Sequence, residues 1–166
     1  MSYQEKKTIV SIVSGALILA AYFFYTSSRY QSGAVAPGDW KFWASAMLIF
    51  IGIGIVVSIV IQIIFHILLS ISIAVQKKIQ DENVEDKAID KSIKAEMVED
   101  EMDKLIELKS LRVGLFLAGI GFVASLVSLV LGYSPAVMLN ILFVSFSGGS
   151  LLEGFTQLYY YRRGLH

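Results

Sequence analysis

Four long apolar stretches alternate with polar ones along this chain. They cover residues 8–26, 42–75, 113–131 and 136–161. A helix needs about 20 mostly apolar residues to cross a hydrocarbon core of about 30 Å, and each stretch reaches or approaches that length. The pattern predicts an all-α fold, an integral membrane four-helix bundle in which residues 1–166 form a single membrane domain.

The segment between the second and third apolar stretches, residues 76–112, holds most of the charge. It contains neither proline nor glycine, and its apolar residues recur at spacings of three and four. This amphipathic pattern favours helix over a disordered linker. We therefore expect a helical insert between spans two and three, with a break near residues 81–83.

The second apolar stretch is longer than a membrane requires. At 1.5 Å per residue, residues 42–75 extend about 50 Å as helix. This helix therefore either tilts or continues past the membrane into the insert. Trp40 and Trp43 mark its outer interface, because indole rings favour the headgroup region.

Basic residues predict the orientation. Of the 14 lysines and arginines, two precede span one, eight lie in the insert and two follow span four, leaving Arg29 and Lys41 for the other connections. Positively charged segments next to spans stay cytoplasmic. We therefore expect a multi-pass protein of the cell (inner) membrane, with both termini and the insert in the cytoplasm.

Composition agrees with a membrane protein and narrows the chemistry. The chain is 55% hydrophobic and 17% charged, against about 25% charged residues in soluble domains. Its formal net charge of +0 gives no reason to expect nucleic acid as a partner. The absence of cysteine excludes disulfides, thiolate nucleophiles and thiolate metal sites.

Small residues line one face of the third span. Ala118, Gly121, Ser125, Ser128 and Gly132 follow one another at spacings of three and four. Because lipid gives helices no hydrophobic reason to associate, such faces are where backbones approach closely. The short connection 132–135 contains glycine and proline, so spans three and four should form an antiparallel hairpin packed through this face.

Four polar side chains inside the spans are candidates for function. Gln62 and His66 belong to span two, and Glu153 and Gln157 belong to span four. The polar positions of span two recur every fourth residue from Gly54, so we expect that face to point into the bundle, where His66 could meet Glu153. An ionisable group in a span is a functional hypothesis by default, although Glu153 could also reach the nearby interface. One spanning carboxylate and one histidine are too few ligands for a metal site, so we expect none.

The acidic part of the insert is the candidate partner-binding surface. Its residues are Glu99, Asp100, Glu101, Asp103, Glu107 and the following Arg112. An EF-hand is not indicated, because the loop spacing and its central glycine are missing. We expect these charges either to bind a partner or to form a solvated helix face.

The same segment resembles a motif of small bacterial and archaeal membrane proteins with four spans. Residues 99–112 read EDEMDKLIELKSLR. The proteins of that group, largely uncharacterised, carry an acidic Asp-Glu-Arg-Asp-type cluster and then a Lys-Ser/Ala-x-Arg step directly before the third span. Met102 stands where that group has arginine. The resemblance implies the four-span layout with its insert, and it implies no particular function.

Two functional hypotheses follow. The first is a membrane protein, not an enzyme, whose helical insert binds a cytoplasmic protein in a regulatory or scaffolding role. The alternative is an oligomeric small transporter or channel that uses the polar region of Gln62, His66 and Glu153. Nucleotide-binding loops and metalloprotease motifs are missing from the sequence, so we expect no cofactor. The remaining expected partners are the lipid bilayer and further copies of the chain.

Overall fold

The computed structural model describes residues 3–36, 38–80 and 101–164. It contains four helices: α1 (Tyr3–Gln31), α2 (Trp40–Gln80), α3 (Glu101–Val130) and α4 (Pro135–Arg163). Each is long and apolar enough to cross a membrane. The all-α fold with four candidate membrane helices is therefore confirmed. Helix also covers both ends of the predicted insert, whereas residues 81–100 and the expected break at 81–83 lie outside the described residues. The cytoplasmic placement of the insert stays a prediction.

Local sequence explains where the helices begin and end. The carboxylate of Asp39 precedes α2 and accepts a hydrogen bond from the amide of Phe42 at 3.3 Å, as an N-cap residue does. At the end of α3, Gly132 has φ +83°, and the Tyr133 amide donates to the Ser128 carbonyl at 3.0 Å. This is a Schellman motif, which needs the left-handed backbone that glycine adopts easily. Pro135 then opens α4, so α3 and α4 form the predicted antiparallel hairpin.

The central helix of the bundle is α4. It contacts α1, α2 and α3, and α1 also contacts α2. Within the described residues, α3 packs on α4 alone. The bundle is therefore two hairpins joined through α4, and it leaves the outer sides of α2 and α3 uncovered.

Small residues make the α3–α4 contact, as predicted. The buried face of α3 consists of Ile106, Ser110, Gly114, Ala118, Gly121, Ser125 and Ser128. Gly132 does not belong to this face, because it forms the turn and is exposed. The seven buried positions follow spacings of three and four, so they lie on one side of the helix.

The closest approach of the two helices is at Gly114 and Gly149. A Cβ atom built on Gly149 would lie 2.6 Å from the Gly114 carbonyl oxygen, and one built on Gly114 would lie 2.8 Å from the Gly149 carbonyl oxygen. The two backbones are therefore in contact, with one Hα of each glycine directed at the other carbonyl, a weak reciprocal hydrogen bond. Further along, a Cβ on Gly121 would overlap Ser145.

Helix α1 packs on α4 through larger side chains than α3 does, and through one polar contact. Ile12 fits against Gly154, where a built Cβ would lie 2.6 Å from its Cγ1 atom. Tyr22 is fully buried, and its hydroxyl donates to Asn140 Oδ1 at 2.8 Å. Its ring lies 5.5 Å from that of Phe50, which fixes the level of α2 against α1.

Two names describe the ends of the bundle. The basic end carries Lys7 of α1, Lys109 of α3 and Arg162 of α4. The turn end carries Gly33 and Ser134, which lie in the two short connections.

We expect Gly149→Ala to destabilise the protein and Gly119→Ala not to. The new methyl group at position 149 would meet the Gly114 carbonyl, whereas a Cβ at Gly119 meets nothing within 4 Å. The cost of forcing the helices apart should be about 1–3 kcal/mol. Thermal unfolding in detergent measures it, and equal midpoints for the two variants would contradict the close contact.

Candidate functional site

A small polar cavity lies at the basic end, between α1, α3 and α4. Its volume is about 130 Å³, enough for several water molecules. It is lined by Gln4, Lys7, Thr8 and Ser11 of α1, Asp103 and Glu107 of α3, and Gln157 and Tyr161 of α4. We call it the polar cavity. It joins part of the acidic cluster to the polar residues of span four, which the sequence presented as separate candidates.

A chain of polar contacts leads from this cavity into the bundle. Thr8 Oγ1 lies 3.5 Å from Gln157 Oε1, and Gln157 Nε2 lies 3.4 Å from Glu153 Oε1. Glu153 and Gln157 are four residues apart, so they share one face of α4. Both distances are at the long end for hydrogen bonds, so these contacts are weak. The half-buried Glu153 is thus connected to the cavity through Gln157.

Glycine makes room for Glu153. A Cβ built on Gly114 would lie 3.2 Å from Glu153 Cβ and 3.4 Å from its Oε2 atom. The carboxyl group therefore lies against the backbone of α3, one turn from the Gly114–Gly149 contact. A larger residue at 114 would displace it.

The hydroxyl of Ser110 is unusual at this level of the bundle. Ser110 is fully buried, and its Oγ atom has no hydrogen-bond partner within the described part of the chain. It lies between Glu107 and Gly114 on the face of α3 that packs on α4. By contrast, the equally buried Ser125 donates to the Phe122 carbonyl at 2.7 Å. The sequence contains no signal for Ser110, because it does not show whether a serine hydroxyl has a hydrogen-bond partner.

The two polar candidates of span two lie elsewhere. Gln62 and His66 are exposed on the surface of α2, and neither lines the polar cavity. The Tyr3 and Phe65 ring centroids are 5.7 Å apart, so His66 is level with the start of α1. Glu153 precedes Gly154, which packs against Ile12, so it lies about two and a half helical turns deeper along α1. The expected approach of His66 to Glu153 does not occur.

A wider cleft explains which part of the α2 polar face points inward. It opens between α1, α2 and α4 with a volume of about 520 Å³, and Gly54 and Ser58 are among its lining residues. Gln62 and His66 do not line this cleft and are exposed. The expected inward direction is therefore correct for Gly54 and Ser58 and wrong for Gln62 and His66.

The predicted partner-binding residues divide into three groups. Glu101 and Arg112 are exposed on α3. Asp103 and Glu107 line the polar cavity. The remaining two candidates, Glu99 and Asp100, lie outside the described residues.

Beyond the basic end, α2 continues as what we call the α2 extension, residues 66–80. It runs for about 20 Å past Phe65 at 1.5 Å per residue, and so past the start of α1. Its large side chains Leu68, Ile71 and Val75 are exposed. Of the two expectations for this long helix, tilt or continuation, the structure supports continuation beyond its neighbours.

Neither the placement of possible metal ligands nor comparison with known proteins assigns a function to any further residue. Among the residues the structure describes, no group of three or more histidine, aspartate or glutamate side chains is placed to hold a metal ion. Comparison with protein-family models, with curated proteins and with solved structures finds no match for this chain.

We expect Ser110→Ala and Ser125→Ala to have opposite effects on stability. Removing an unpartnered buried hydroxyl should stabilise the fold, since such a group costs about 1–3 kcal/mol. Removing the bonded Ser125 hydroxyl should lose about 1 kcal/mol. Thermal unfolding of both variants in one detergent checks this, and a destabilised Ser110→Ala would mean that the hydroxyl has a partner in the folded protein.

Proposed function

We propose that this protein is a small integral membrane protein, not an enzyme, that binds a partner protein through helical surfaces beyond its basic end. The role is regulatory or scaffolding. One observation carries the proposal: large apolar side chains are exposed in a segment too charged to lie in lipid. That segment is the start of α3.

The start of α3 mixes exposed apolar and charged residues. Met102, Leu105 and Leu108 are 51%, 51% and 57% exposed. Charged residues lie between and beside them, namely Glu101, Asp103, Lys104, Glu107 and Lys109. Charges at this density are costly in hydrocarbon, so this part of α3 belongs in water. Single exposed apolar residues are ordinary, whereas a group of them at one place is typical of interaction sites.

The α2 extension supports the same proposal. Between Lys41 and Lys77 the helix carries no lysine, arginine, aspartate or glutamate, a length of about 54 Å at 1.5 Å per residue. On α1, the corresponding stretch without charged residues, from Lys7 to Arg29, is only about 33 Å long at the same rise per residue. The surplus of about 20 Å places Leu68, Ile71 and Val75 past the level where α1 ends. A partner helix that covers them would remove apolar surface from water, which is favourable.

The distribution of positive charge supports a cytoplasmic partner. The basic end carries the lysines and arginines that the positive-inside tendency keeps in the cytoplasm. The exposed apolar side chains of α3 and the α2 extension lie at this same end. A cytoplasmic protein, or the cytoplasmic part of another membrane protein, could therefore reach them.

A photo-crosslinking amino acid at Leu105 or Leu108 should give a protein adduct in cells, and the same amino acid at Val130 should not. Val130 is 88% exposed but lies at the turn end of the same helix, so it controls for exposure alone. The double substitution Leu105→Ser, Leu108→Ser should remove partner binding. It should change stability by less than about 1 kcal/mol, because both side chains are half exposed.

Two outcomes would contradict the proposal. Adducts of the same kind at Val130 would mean that the crosslinker reports random collisions. No adduct at Leu105, at Leu108 or at Ile71 of the α2 extension would mean that no partner covers these surfaces.

The alternative function, transport by an oligomer, is favoured by one observation. The polar cavity opens at the basic end, and Gln157 connects it to Glu153 inside the bundle. A carboxyl group in a span that is reachable from water is a typical element of proton-coupled transport. The span-two residues Gln62 and His66 would take part only through a second copy, since their own Glu153 is out of reach.

Proton transport makes a separate prediction for Glu153. Purified protein in liposomes should then carry a proton flux that a pH-sensitive dye detects. Glu153→Gln should abolish the flux with the fold intact, while Glu101→Gln, on the exposed surface, should leave it unchanged. Under the leading proposal, Glu153→Gln instead leaves partner crosslinking at Leu105 unchanged.

A further inference from the structure

The polar cavity and the wider cleft lie next to each other along α1. Ser11 lines both of them. The series Gln4, Lys7, Ser11, Gly15 and Ile18 runs from the cavity into the cleft, at spacings of three and four that belong to one side of a helix. The two spaces are therefore successive parts of one surface of α1. Helix α3 forms the third wall at the basic end, and α2 forms it deeper in the bundle.

The same continuity is present on α4. Gln157 lines the cavity, and Gly154 and Ser150 line the cleft. These positions also follow spacings of three and four, so they share one side of α4. A ligand that enters at the basic end can thus extend along both helices without leaving the lined surface.

The cleft has the length of one bilayer leaflet. Along α2, its lining residues run from Ile61 to Phe50, a distance of about 16 Å at 1.5 Å per residue. The hydrocarbon core of a bilayer is about 30 Å thick, so one leaflet supplies about half of that. Ile61 is the end nearer to Phe65, which packs on Tyr3 at the start of α1. The cleft therefore covers the leaflet on the side of the basic end.

The lining of the cleft suits a hydrocarbon chain. It contains no charged residue, and most of its side chains are apolar. Its volume of about 520 Å³ lies in the range of ligand sites, about 300–1,000 Å³. The serines in it can be satisfied by their own helix, as Ser58 is through the Gly54 carbonyl at 2.9 Å. Because the surrounding helices are long and apolar enough to span a membrane, lipid is the solvent on the open side of this cleft.

The polar cavity, in contrast, has charges of both signs on its walls. Lys7 of α1 is positive, and Asp103 and Glu107 of α3 are negative. Neither Lys7 nor Glu107 forms an ion pair within the part of the chain that the structure describes. Opposite charges that face one space without neutralising each other favour a ligand that itself carries both charges.

Headgroup chemistry identifies which lipid fits both spaces. A phosphate accepts hydrogen bonds from a lysine ammonium group, and a primary ammonium group has three N–H donors for a carboxylate such as that of Glu107. A choline headgroup has no N–H donor. A glycerol headgroup has no positive charge and would leave a phosphate facing two carboxylates. Only an ethanolamine headgroup among these three matches Lys7 and Glu107 together.

We propose that the polar cavity and the cleft together bind one phospholipid with an ethanolamine headgroup, from the leaflet at the basic end. Its phosphate lies at Lys7, its ammonium group lies at Glu107, and one acyl chain lies in the cleft. The site is between the helices and uses neither Leu105 nor Leu108. It therefore goes beyond the proposed function and is tested separately from it.

The headgroup is tested by native mass spectrometry of the purified full-length protein with ethanolamine and glycerol phospholipids of identical chains. The parent should bind the ethanolamine lipid in preference. Glu107→Gln should weaken that lipid roughly ten-fold, as expected for a hydrogen bond to a charged group, without weakening the glycerol lipid. Lys7→Gln should weaken both. Glu101→Gln and Lys6→Gln, which change exposed charges outside the cavity, should match the parent.

Two results of this experiment would overturn the proposal. One is equal binding of the two lipids by the parent protein, and the other is an unchanged preference in Glu107→Gln. Because the preference is a ratio measured in one sample, a loss of folded protein cannot imitate its change.

The place of the acyl chain is tested by a pair of glycines on α2. A Cβ built on either Gly52 or Gly54 meets no atom within 4 Å, but only Gly54 lines the cleft. Gly54→Leu should fill the cleft and reduce lipid binding several-fold with the headgroup preference retained, while Gly52→Leu should bind like the parent. Glycerophosphoethanolamine, which has the headgroup without the chains, should displace the lipid poorly.

Equal binding by the two glycine variants, or ready displacement by glycerophosphoethanolamine, would overturn the assignment of the chain to the cleft. Adducts at Leu105 report the proposed function instead. They should persist in Gly54→Leu and in Lys7→Gln, so failure of the lipid site and failure of partner binding are distinguishable.

Discussion

The contact between the backbones of Gly114 and Gly149 is the constraint on which the rest of the bundle depends. In lipid, burying apolar side chains between helices gains little, so helices associate through close packing and polar contacts. At this crossing, each glycine meets the carbonyl oxygen of the other without a side chain between them. The register that results places Glu153 beside α3 and Gln157 near Glu107, and it thereby creates the polar cavity. A different crossing point would separate these residues.

Close approach at small residues also explains why α4 is the central helix. One side of α4 carries Gly149 for α3, while Gly154 and Leu151 meet Ile12 and Gly15 of α1. Small residues on two sides allow two neighbours to approach closely. Helix α2 is held by larger side chains: Phe50 and Phe65 pack on aromatic rings of α1, and the buried Met47 belongs to a cluster with Tyr22, Leu139 and Phe143.

Sequence patterns predicted the parts of this structure that local rules determine. The four helices follow from hydropathy, the α3–α4 turn from Gly132 and Pro135, and the packed face of α3 from the spacing of its small residues. The exposure of Gln62 and His66 was not predictable, because the four-residue spacing of the polar positions in span two indicated a face that points into the bundle. That exposure depends on where the cleft between α1, α2 and α4 ends along α2, which is at Ile61. The meeting of Glu107 with Gln157 likewise depends on a long-range register that no local pattern contains.

One mismatch between side chains and their surroundings stands out on the described surface. At the start of α3, Leu105 and Leu108 expose apolar surface among charges that require water. This mismatch carries a free-energy cost that a bound protein surface would relieve by covering the leucines. A partner that covers Leu105 and Leu108 would have to offer an apolar surface while leaving the neighbouring charges in water, and this requirement is what the proposed function asks of it.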